Sequence, residues 1–458
     1  MAKDKDIFEK IAEAPAVMLE ETIDATKKVG GILHADAPMR KTKEYWNMLG
    51  PGLTTGAADD DPSGIATYSQ AGAQYGNQLL WLAGFTFPLM AMVQEMCARI
   101  GLVTGRGLAS NIRRFFPRWM LLSCTILLFA ANAFNIGADL GAMAKASQLL
   151  WPSVSFTKLI VGFTLVSLLL QIFSTYKRYA KYLKFLALIL LSYIFSTLLI
   201  KGLDWRSIGQ SAIMPTLSFT KDQIILICAI LGTTISPYLF FWQTSQEVEE
   251  EILEGETTVA SRQGTDKEAV KRMRVDVWSG MFLSNVVMFF IILACAVTLF
   301  PNGITQIRTA SEAAEALRPL AGEATYLLFA LGIIGTGLLA VPVLAGSASY
   351  AVAESFGWKQ GLFYKLKQAY AFYGVLIIAM LVGLGLNFVG IDPIKALIYS
   401  AVANGLVAPI VLIFIVLISS NKKVMGEWAN RPLTRILGWL CVLLMAVAGV
   451  ATIYALLT

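Results

Sequence analysis

Apolar runs of about 20 residues recur along almost the whole chain, and an α-helix of that length crosses the hydrocarbon core of a bilayer. Inside a bilayer, only helices and closed barrels satisfy their own backbone hydrogen bonds. The runs therefore predict an all-α polytopic membrane protein with about eleven transmembrane helices. The predicted spans lie near residues 49–72, 77–103, 119–149, 155–174, 178–202, 223–247, 275–300, 323–352, 368–388, 395–419 and 434–457.

The composition agrees with this class and argues against an enzyme. Hydrophobic residues make up 56% of the 458 residues and charged residues 15%, whereas soluble domains carry about 25% charged residues. The five cysteines have no paired spacing, so neither a disulfide framework nor a zinc site is indicated. The only histidine, His34, excludes an HExxH metal site and a histidine proton relay. We expect no cofactor, no nucleic-acid partner and no obligate protein partner.

The distribution of basic residues predicts the orientation in the cell membrane. Cytosolic loops of membrane proteins are enriched in Lys and Arg. Most of the 37 Lys and Arg residues fall on the inner side when the N-terminus is placed in the cytosol. Residues 1–44 are then a cytosolic tail, and an odd number of spans places the C-terminus outside the cell.

Two predicted spans carry a helix-breaking motif. The first contains Asp-Asp-Asp-Pro-Ser-Gly at residues 59–64, and the sixth contains Ser236-Pro237. In both, an N-cap residue precedes a proline at the first position of a new helix. Matched breaks in oppositely directed spans predict two inverted repeats and a transport site near the membrane midplane. The repeats would occupy residues 45–202 and 203–421, with the last span in 422–458.

The residues at the breaks predict a site for a divalent cation. A charge at bilayer depth costs roughly 2.5–3.5 kcal/mol, so acids retained there usually face a cavity or an ion. The first half of a broken helix also ends in free carbonyl groups, here near Ala58 and Thr233, that favour a cation. Together with Asp61 they form an oxygen-only ligand set, which suits Mg²⁺, Ca²⁺ or Mn²⁺. The predicted metal-site residues are Asp61, Gly64, Thr233, Ser236, Ala58 and Asp60.

Gly64 and Ser236 have small side chains, and they are predicted to leave room for the water that Mg²⁺ retains. Asp59 and Asp60 would add negative potential whether or not they coordinate the ion. Other polar residues share helical faces that point towards the breaks or the cytosol. The predicted pathway or outer residues are Asp59, Tyr68, Asn135, Asp139, Tyr238, Gln243, Glu247 and Asn404.

Simpler interpretations exist for each of these features. Asp61 would serve only as a helix cap, and Pro237 would only kink a continuous helix. The polar residues of spans 3 and 10 would form hydrogen bonds between helices. The acidic run that begins at Glu247 would be a solvated helix end.

The motifs Gly50-Pro51-Gly52, Asp61-Pro62-Ser63-Gly64 and Gln70-Ala71-Gly72-Ala73, with Ser236-Pro237, resemble the Nramp family of divalent-metal transporters. The closest resemblance is to its Nramp-related magnesium transporter branch. The resemblance covers spans 1–10 in order. It implies a LeuT-type fold, alternating access, and a metal site between broken helices 1 and 6.

Several positions depart from the motifs that most Nramp members carry, Asp-Pro-Gly-Asn in helix 1 and Met-Pro-His in helix 6. The Asn position is Gly64, the Met position is Ser236 and the His position is Tyr238. The acidic pair of helix 3 aligns with Asn135 and Ala138, with Asp139 one residue away, and the glutamine of helix 10 aligns with Ala401.

These departures remove a soft ligand and most titratable groups. The resemblance therefore implies a passive Mg²⁺ carrier, a uniporter, that also admits Mn²⁺. The sequence leaves three alternatives open. They are a proton-coupled transition-metal transporter, an amino-acid transporter of the same fold, and a Mg²⁺ channel or sensor.

Overall fold

The structure is a computed structural model, and it describes residues 45–46, 48–218, 220–389 and 393–457. The predicted cytosolic tail, 1–44, lies outside the described residues, as does His34. Every regular element in the described part of the chain is a helix. The α-helices are α1 Pro51–Asp59, α2 Pro62–Tyr75, α3 Trp81–Thr104, α4 Leu108–Phe115, α5 Arg118–Leu150, α6 Phe156–Phe173, α7 Tyr176–Leu186, α8 Leu191–Leu198, α9 Trp205–Ile213, α10 Lys221–Thr234, α11 Pro237–Leu253, α12 Lys267–Thr298, α13 Ala310–Ala321, α14 Glu323–Phe356, α15 Tyr370–Leu386, α16 Pro393–Ser420, α17 Lys422–Met425 and α18 Pro432–Leu457.

The helices agree with the predicted all-α polytopic architecture. Seven described helical stretches are long and apolar enough to cross a membrane, or up to nine if two strongly bent pairs are counted as one span each. Each of the eleven predicted spans falls on a helix or on a pair of consecutive helices. The count reaches nine rather than the predicted eleven because the first predicted span is divided into α1 and α2, and because α15 has only 17 residues.

Both predicted helix breaks are present. The chain leaves helical geometry at residues 60–61, between α1 and α2, and at residues 235–236, between α10 and α11. Asp61 caps α2 by accepting a hydrogen bond from the Gly64 amide. Ser236 occupies the N-cap position of α11 without a side-chain cap, because its hydroxyl donates backwards to Gly232 and Thr233. The sixth predicted span is therefore interrupted at Pro237, although Lys221–Leu253 as a whole is long and apolar enough to cross a membrane as one stretch.

Helix α1 packs unusually closely against α12, and glycines allow this approach. A Cβ at Gly52 would lie 2.5 Å from the Val277 nitrogen, and a Cβ at Gly56 would overlap the backbone of Gly280. Real Cβ atoms essentially never approach backbone within 3.0 Å. The first half of the broken helix therefore contacts α12 backbone to backbone, which a larger residue at these positions would prevent.

A carboxylate from α12 also caps the start of α1. The Asp276 side chain accepts hydrogen bonds from the amides of Gly50, Gly52 and Leu53 at 2.7, 2.7 and 3.0 Å. The first amides of a helix lack partners within the helix and carry the positive end of its dipole. Lys184 Nζ donates to the Leu49 carbonyl at 2.5 Å on the same segment. Sequence reasoning missed the hydrogen bonds to Asp276 because Asp276 is more than 220 residues from the start of α1.

Replacing Asp276 with Ala is expected to destabilise the protein by about 2 kcal/mol, because buried amides lose a charged acceptor. The measurement is the thermal unfolding midpoint of the detergent-purified protein. Asp266→Ala is the matched control, since Asp266 caps the exposed start of α12 through the Ala269 amide, and a cap of this kind contributes about 1 kcal/mol. Equal shifts for the two variants would contradict a special role for Asp276.

Candidate functional site

Asp61 is buried at the break between α1 and α2, where three groups orient its carboxylate. Oδ1 accepts hydrogen bonds from Ser63 Oγ at 2.7 Å and from the Gly64 amide at 2.6 Å. Oδ2 accepts one from Asn135 Nδ2 of α5 at 2.7 Å. The side chain forms no ion pair in the described part of the chain. The fold thus holds a buried carboxyl group in a defined orientation, and its oxygens keep further lone pairs.

The two carbonyl groups predicted to bind the metal ion accept hydrogen bonds from hydroxyl groups. Tyr238 Oη donates to the Ala58 carbonyl at 2.8 Å, and Ser236 Oγ donates to the Thr233 carbonyl at 2.8 Å. Tyr68 Oη lies 3.4 Å from Thr234 Oγ1. The two broken helices therefore contact each other at their breaks, as the sequence predicted. A carbonyl oxygen has two lone pairs, so each retains one for another partner.

Asp59 and Asp60 are buried but do not share the contacts of Asp61. Asp59 Oδ2 accepts a hydrogen bond from Ser284 Oγ of α12 at 3.1 Å. Neither oxygen of Asp60 has a hydrogen-bond partner among the residues that the structure describes. Asp61 thus has hydrogen-bond partners that Asp59 and Asp60 do not share. In the described ranges, no group of three or more His, Cys, Asp or Glu side chains is arranged to hold a metal ion.

Asp139 and Asn404 are buried polar residues on the predicted pathway. Both Asp139 oxygens lack a hydrogen-bond partner within the described chain, and the carboxylate is close enough to Asp61 for an electrostatic interaction. Asn404 Oδ1 likewise has no partner among the described residues. The structure thus brings Asn135 and Asp139 of α5 to Asp61, whereas no hydrogen bond between Asn404 and Asp61 occurs in the part of the chain that the structure describes.

The acidic run at the end of α11 is not a solvated helix end, and that interpretation is wrong. Glu247, Glu249 and Glu251 are all buried, since α11 packs against α3 and α14. Gln243 Nε2 donates to Glu247 Oε1 at 2.8 Å. Glu249 accepts hydrogen bonds from Tyr350 Oη and from the amides of residues 362 and 363. The run therefore ties α11 to its neighbours.

A cavity of about 420 Å³ begins beside the start of α2 and extends to the face that carries α13. It passes Ser63, the residue that hydrogen-bonds to Asp61. At Gly64 an added Cβ would lie 3.3 Å from both the Asp59 carbonyl oxygen and Asp61 Oδ1, so this position fits glycine more easily than a larger residue. Sequence reasoning missed the cavity, whose wall combines distant segments. It is lined by Pro62, Ser63, Ala66, Ala138, Gly141, Ala142, Lys145, Gln148, Leu149, Phe156, Thr309, Ala310, Ser311, Glu312, Glu315 and Asn387.

Solved structures with similar folds are membrane transporters. The chain superimposes on the crystal structure of the Eremococcus coleocola manganese transporter, in complex with an aromatic bis-isothiourea substituted compound, with a TM-score of 0.68 at 19% identity, covering 89% of this chain and 86% of that one. It also matches Mhp1, a nucleobase-cation-symport-1 family transporter, in a closed conformation, with a TM-score of 0.53 at 14% identity, covering 89% and 92%. The predicted LeuT-type fold is therefore confirmed.

Sequence comparison agrees with the fold. The chain is 26% identical over 400 residues to the divalent metal cation transporter MntH of Caldanaerobacter subterraneus subsp. tengcongensis, covering 86% of this chain and 90% of that protein. It is 26% identical over 423 residues to MntH of Aeromonas hydrophila subsp. hydrophila, covering 89% and 95%. The family model for Nramp, described as natural resistance-associated macrophage protein-like, matches residues 52–455. The chain therefore belongs to the Nramp family.

Proposed function

We propose that this protein transports Mg²⁺ and Mn²⁺ across the cell membrane by alternating access and without proton coupling. The observation that carries the proposal is the buried Asp61 carboxylate at the contact between two broken helices. The relatives support the divalent-metal class, because they are named as divalent metal cation and manganese transporters rather than as enzymes. Three consecutive acids at the break would also repel the carboxylate of an amino-acid substrate.

The ion would be held mainly by Asp61, with help from the carbonyls of Ala58 and Thr233. The contacts of Tyr238 and Ser236 with these carbonyls would have to be shared with the ion or exchanged for it. Few direct protein ligands favour an ion that keeps part of its water shell, as Mg²⁺ does. The hydroxyl of Ser236, where most family members have a thioether, favours hard ions over soft ones. Asp59 and Asp60 would add negative potential at the break.

The cavity beside Ser63 supports access to this site from one side of the membrane. It opens towards α13, on the face predicted to be extracellular. On the opposite face, the hydrogen bonds from the first amides of α1 to Asp276 hold α1 against α12. We propose that transport exchanges these two states by movement of the helix bundle that includes α1, α2, α10 and α11. A cytosolic N-terminus and an extracellular C-terminus remain predictions of the charge distribution.

Proton-coupled transport is the second candidate, and Asp139 favours it. This carboxylate is buried, lacks a hydrogen-bond partner among the described residues and interacts electrostatically with Asp61. Against it stand Tyr238 at the histidine position, whose hydroxyl hydrogen-bonds to Ala58, and Asn135 at an acidic position. Asp139→Asn therefore separates the two candidates. In a coupled carrier, this substitution would reduce metal-driven proton movement. In an uncoupled carrier, no metal-driven proton movement would be measured with or without the substitution.

The test uses purified protein in liposomes that contain a metal reporter or a pH reporter. We expect saturable influx of Mg²⁺ and Mn²⁺, weaker influx of Ca²⁺, and no acidification of the lumen beyond that of protein-free liposomes. Acidification that depends on Mn²⁺ and disappears in Asp139→Asn would contradict the absence of coupling. Non-saturating flux would indicate a channel, and inhibition by amino acids would indicate a different substrate class.

A further inference from the structure

A second cavity, of about 590 Å³, lies on the face predicted to be cytosolic and takes no part in the proposed transport site. Its walls come from the end of α3, from α4, from a loop before α12, and from α17 with the segment after it. Three basic side chains and one acidic side chain line it, Arg106, Arg114, Lys423 and Glu427. The lining is therefore net positive.

Of the three basic side chains, Arg114 has an aromatic neighbour, since its guanidinium carbon lies 5.6 Å from the centroid of the Phe115 ring. None of them forms an ion pair in the ranges that the structure describes. Arg106 Nε is buried and has no hydrogen-bond partner within those ranges. A buried guanidinium nitrogen without an acceptor is unfavourable, because it has lost water without gaining a replacement. An acceptor from outside the described chain would satisfy it.

The positive charges around Arg106 make its unpaired guanidinium group still less favourable. Burial, followed by repulsion from Arg114, Arg113 and Arg262, lowers the pKa of Arg106 from its ordinary value. Arg262 uses its own donors on backbone, since Nε donates to the Gly105 carbonyl at 3.3 Å and another nitrogen donates to the Glu256 carbonyl at 2.8 Å. It thus fixes the loop beside Arg106 while adding positive charge. A bound anion would relieve the repulsion among these arginines.

Two polar side chains on the cavity wall, Asn111 and Thr104, use their donors within the protein, whereas the basic side chains keep donors that can reach a ligand. Asn111 Nδ2 donates to Thr104 Oγ1 and to the carbonyls of Arg106 and Gly107. Thr104 Oγ1 donates to the Ile100 carbonyl. A planar guanidinium binds phosphate oxygens with two parallel hydrogen bonds, and lysine adds a point charge.

We infer that this cavity is a binding site for a phosphate group, held by Arg106, Arg114 and Lys423. Two kinds of molecule could supply this phosphate group. One is the headgroup of an anionic phospholipid, and Phe115, an exposed aromatic residue on the cavity wall, would contact its glycerol and acyl region. The other is free phosphate in the cytosol. In both cases the ligand would join α3 and α4 to the segment after α16, so its binding would stabilise the folded protein.

The experiment measures the thermal unfolding midpoint of the full chain in nanodiscs. One arm adds inorganic phosphate to nanodiscs of phosphatidylcholine alone. The other arm compares phosphatidylcholine nanodiscs with nanodiscs that contain phosphatidylglycerol, and native mass spectrometry counts the lipids retained. We expect stabilisation in one arm. A rise with free phosphate identifies a soluble ligand, and a rise only with phosphatidylglycerol identifies a lipid headgroup.

Arg106→Gln tests the site, and Arg178→Gln is the matched control, because Arg178 is an exposed basic residue of α7 that does not line the cavity. We expect Arg106→Gln to weaken binding by at least about tenfold, since a hydrogen bond to a charged group is lost. Without the anion, Arg106→Gln should be at least as stable as the unmodified protein, because one repelling charge is removed. No stabilisation in either arm, or equal responses of the two variants, would overturn the inference.

Discussion

Asp61→Asn is expected to abolish Mg²⁺ and Mn²⁺ transport in liposomes while the protein remains folded. Asparagine is also a favourable N-cap residue, so its side-chain oxygen can still accept the Gly64 amide hydrogen bond that starts α2. It cannot supply the negative charge that a divalent ion requires. Removing this charge beside the ion should weaken the free energy of ion binding by at least about 3 kcal/mol, which is about 100-fold in affinity. Metal influx and calorimetric binding measure the effect.

Two further variants separate the roles of Asp61. Asp61→Ala removes both the charge and the cap, and it should lower stability by about 1 kcal/mol in addition to stopping transport. Ser63→Ala removes one donor to Asp61 Oδ1 but keeps the charge, so we expect less than about tenfold loss of transport. If Asp61→Asn transported at the unmodified rate and only Asp61→Ala failed, Asp61 would be a cap and not a ligand.

Gly56→Ala is expected to give the largest loss of stability among single methyl additions in α1. The added Cβ would overlap the carbonyl group of Gly280, and backbone cannot rotate away as a side chain can. Overpacking ordinarily costs about 1–3 kcal/mol, and a clash between two helix backbones should lie at or above the upper end of that range. Because α1 ends next to Ala58, its displacement would also break the hydrogen bond from Tyr238.

Gly84→Ala in α3 provides the matched control. A Cβ at Gly84 meets no atom within 4 Å, so the substitution adds the same methyl group without a clash. Alanine is favoured over glycine in a helix interior by about 1 kcal/mol, and the control should therefore be unchanged or slightly more stable. The measurement is the unfolding midpoint and the monodisperse yield in detergent. Similar unfolding midpoints for both variants would show that α1 and α12 can move apart without loss of stability.

Local signals predicted the helices and both breaks correctly. Hydropathy over about 20 residues reports whether a segment can cross a bilayer, and this depends little on distant neighbours. The pairs Asp61-Pro62 and Ser236-Pro237 act within one helical turn, so the starts of α2 and α11 could be read from them. The proximity of the two breaks followed from matching them in opposite halves of the chain.

The partners at the breaks could not be predicted in the same way. The contacts between Tyr238 and Ala58 and between Asn135 and Asp61 join residues 180 and 74 positions apart. Polarity and helical spacing show that such side chains need partners, but they do not identify them. The burial of Glu247, Glu249 and Glu251 was missed for a related reason, since an acidic run at a helix end is solvated unless other helices cover it.

The sequence by itself determined that this chain is a helical membrane protein with two interrupted spans and an acid at the first break. These features depend on apolar length, proline and N-cap chemistry, all of which act locally. Only the tertiary structure decided that Asp276 caps α1, that Asp61 has hydrogen-bond partners which Asp59 and Asp60 do not share, and that cavities lie beside Ser63 and Arg106. Those outcomes depend on which helix backbones approach each other, and a one-dimensional pattern does not contain that information.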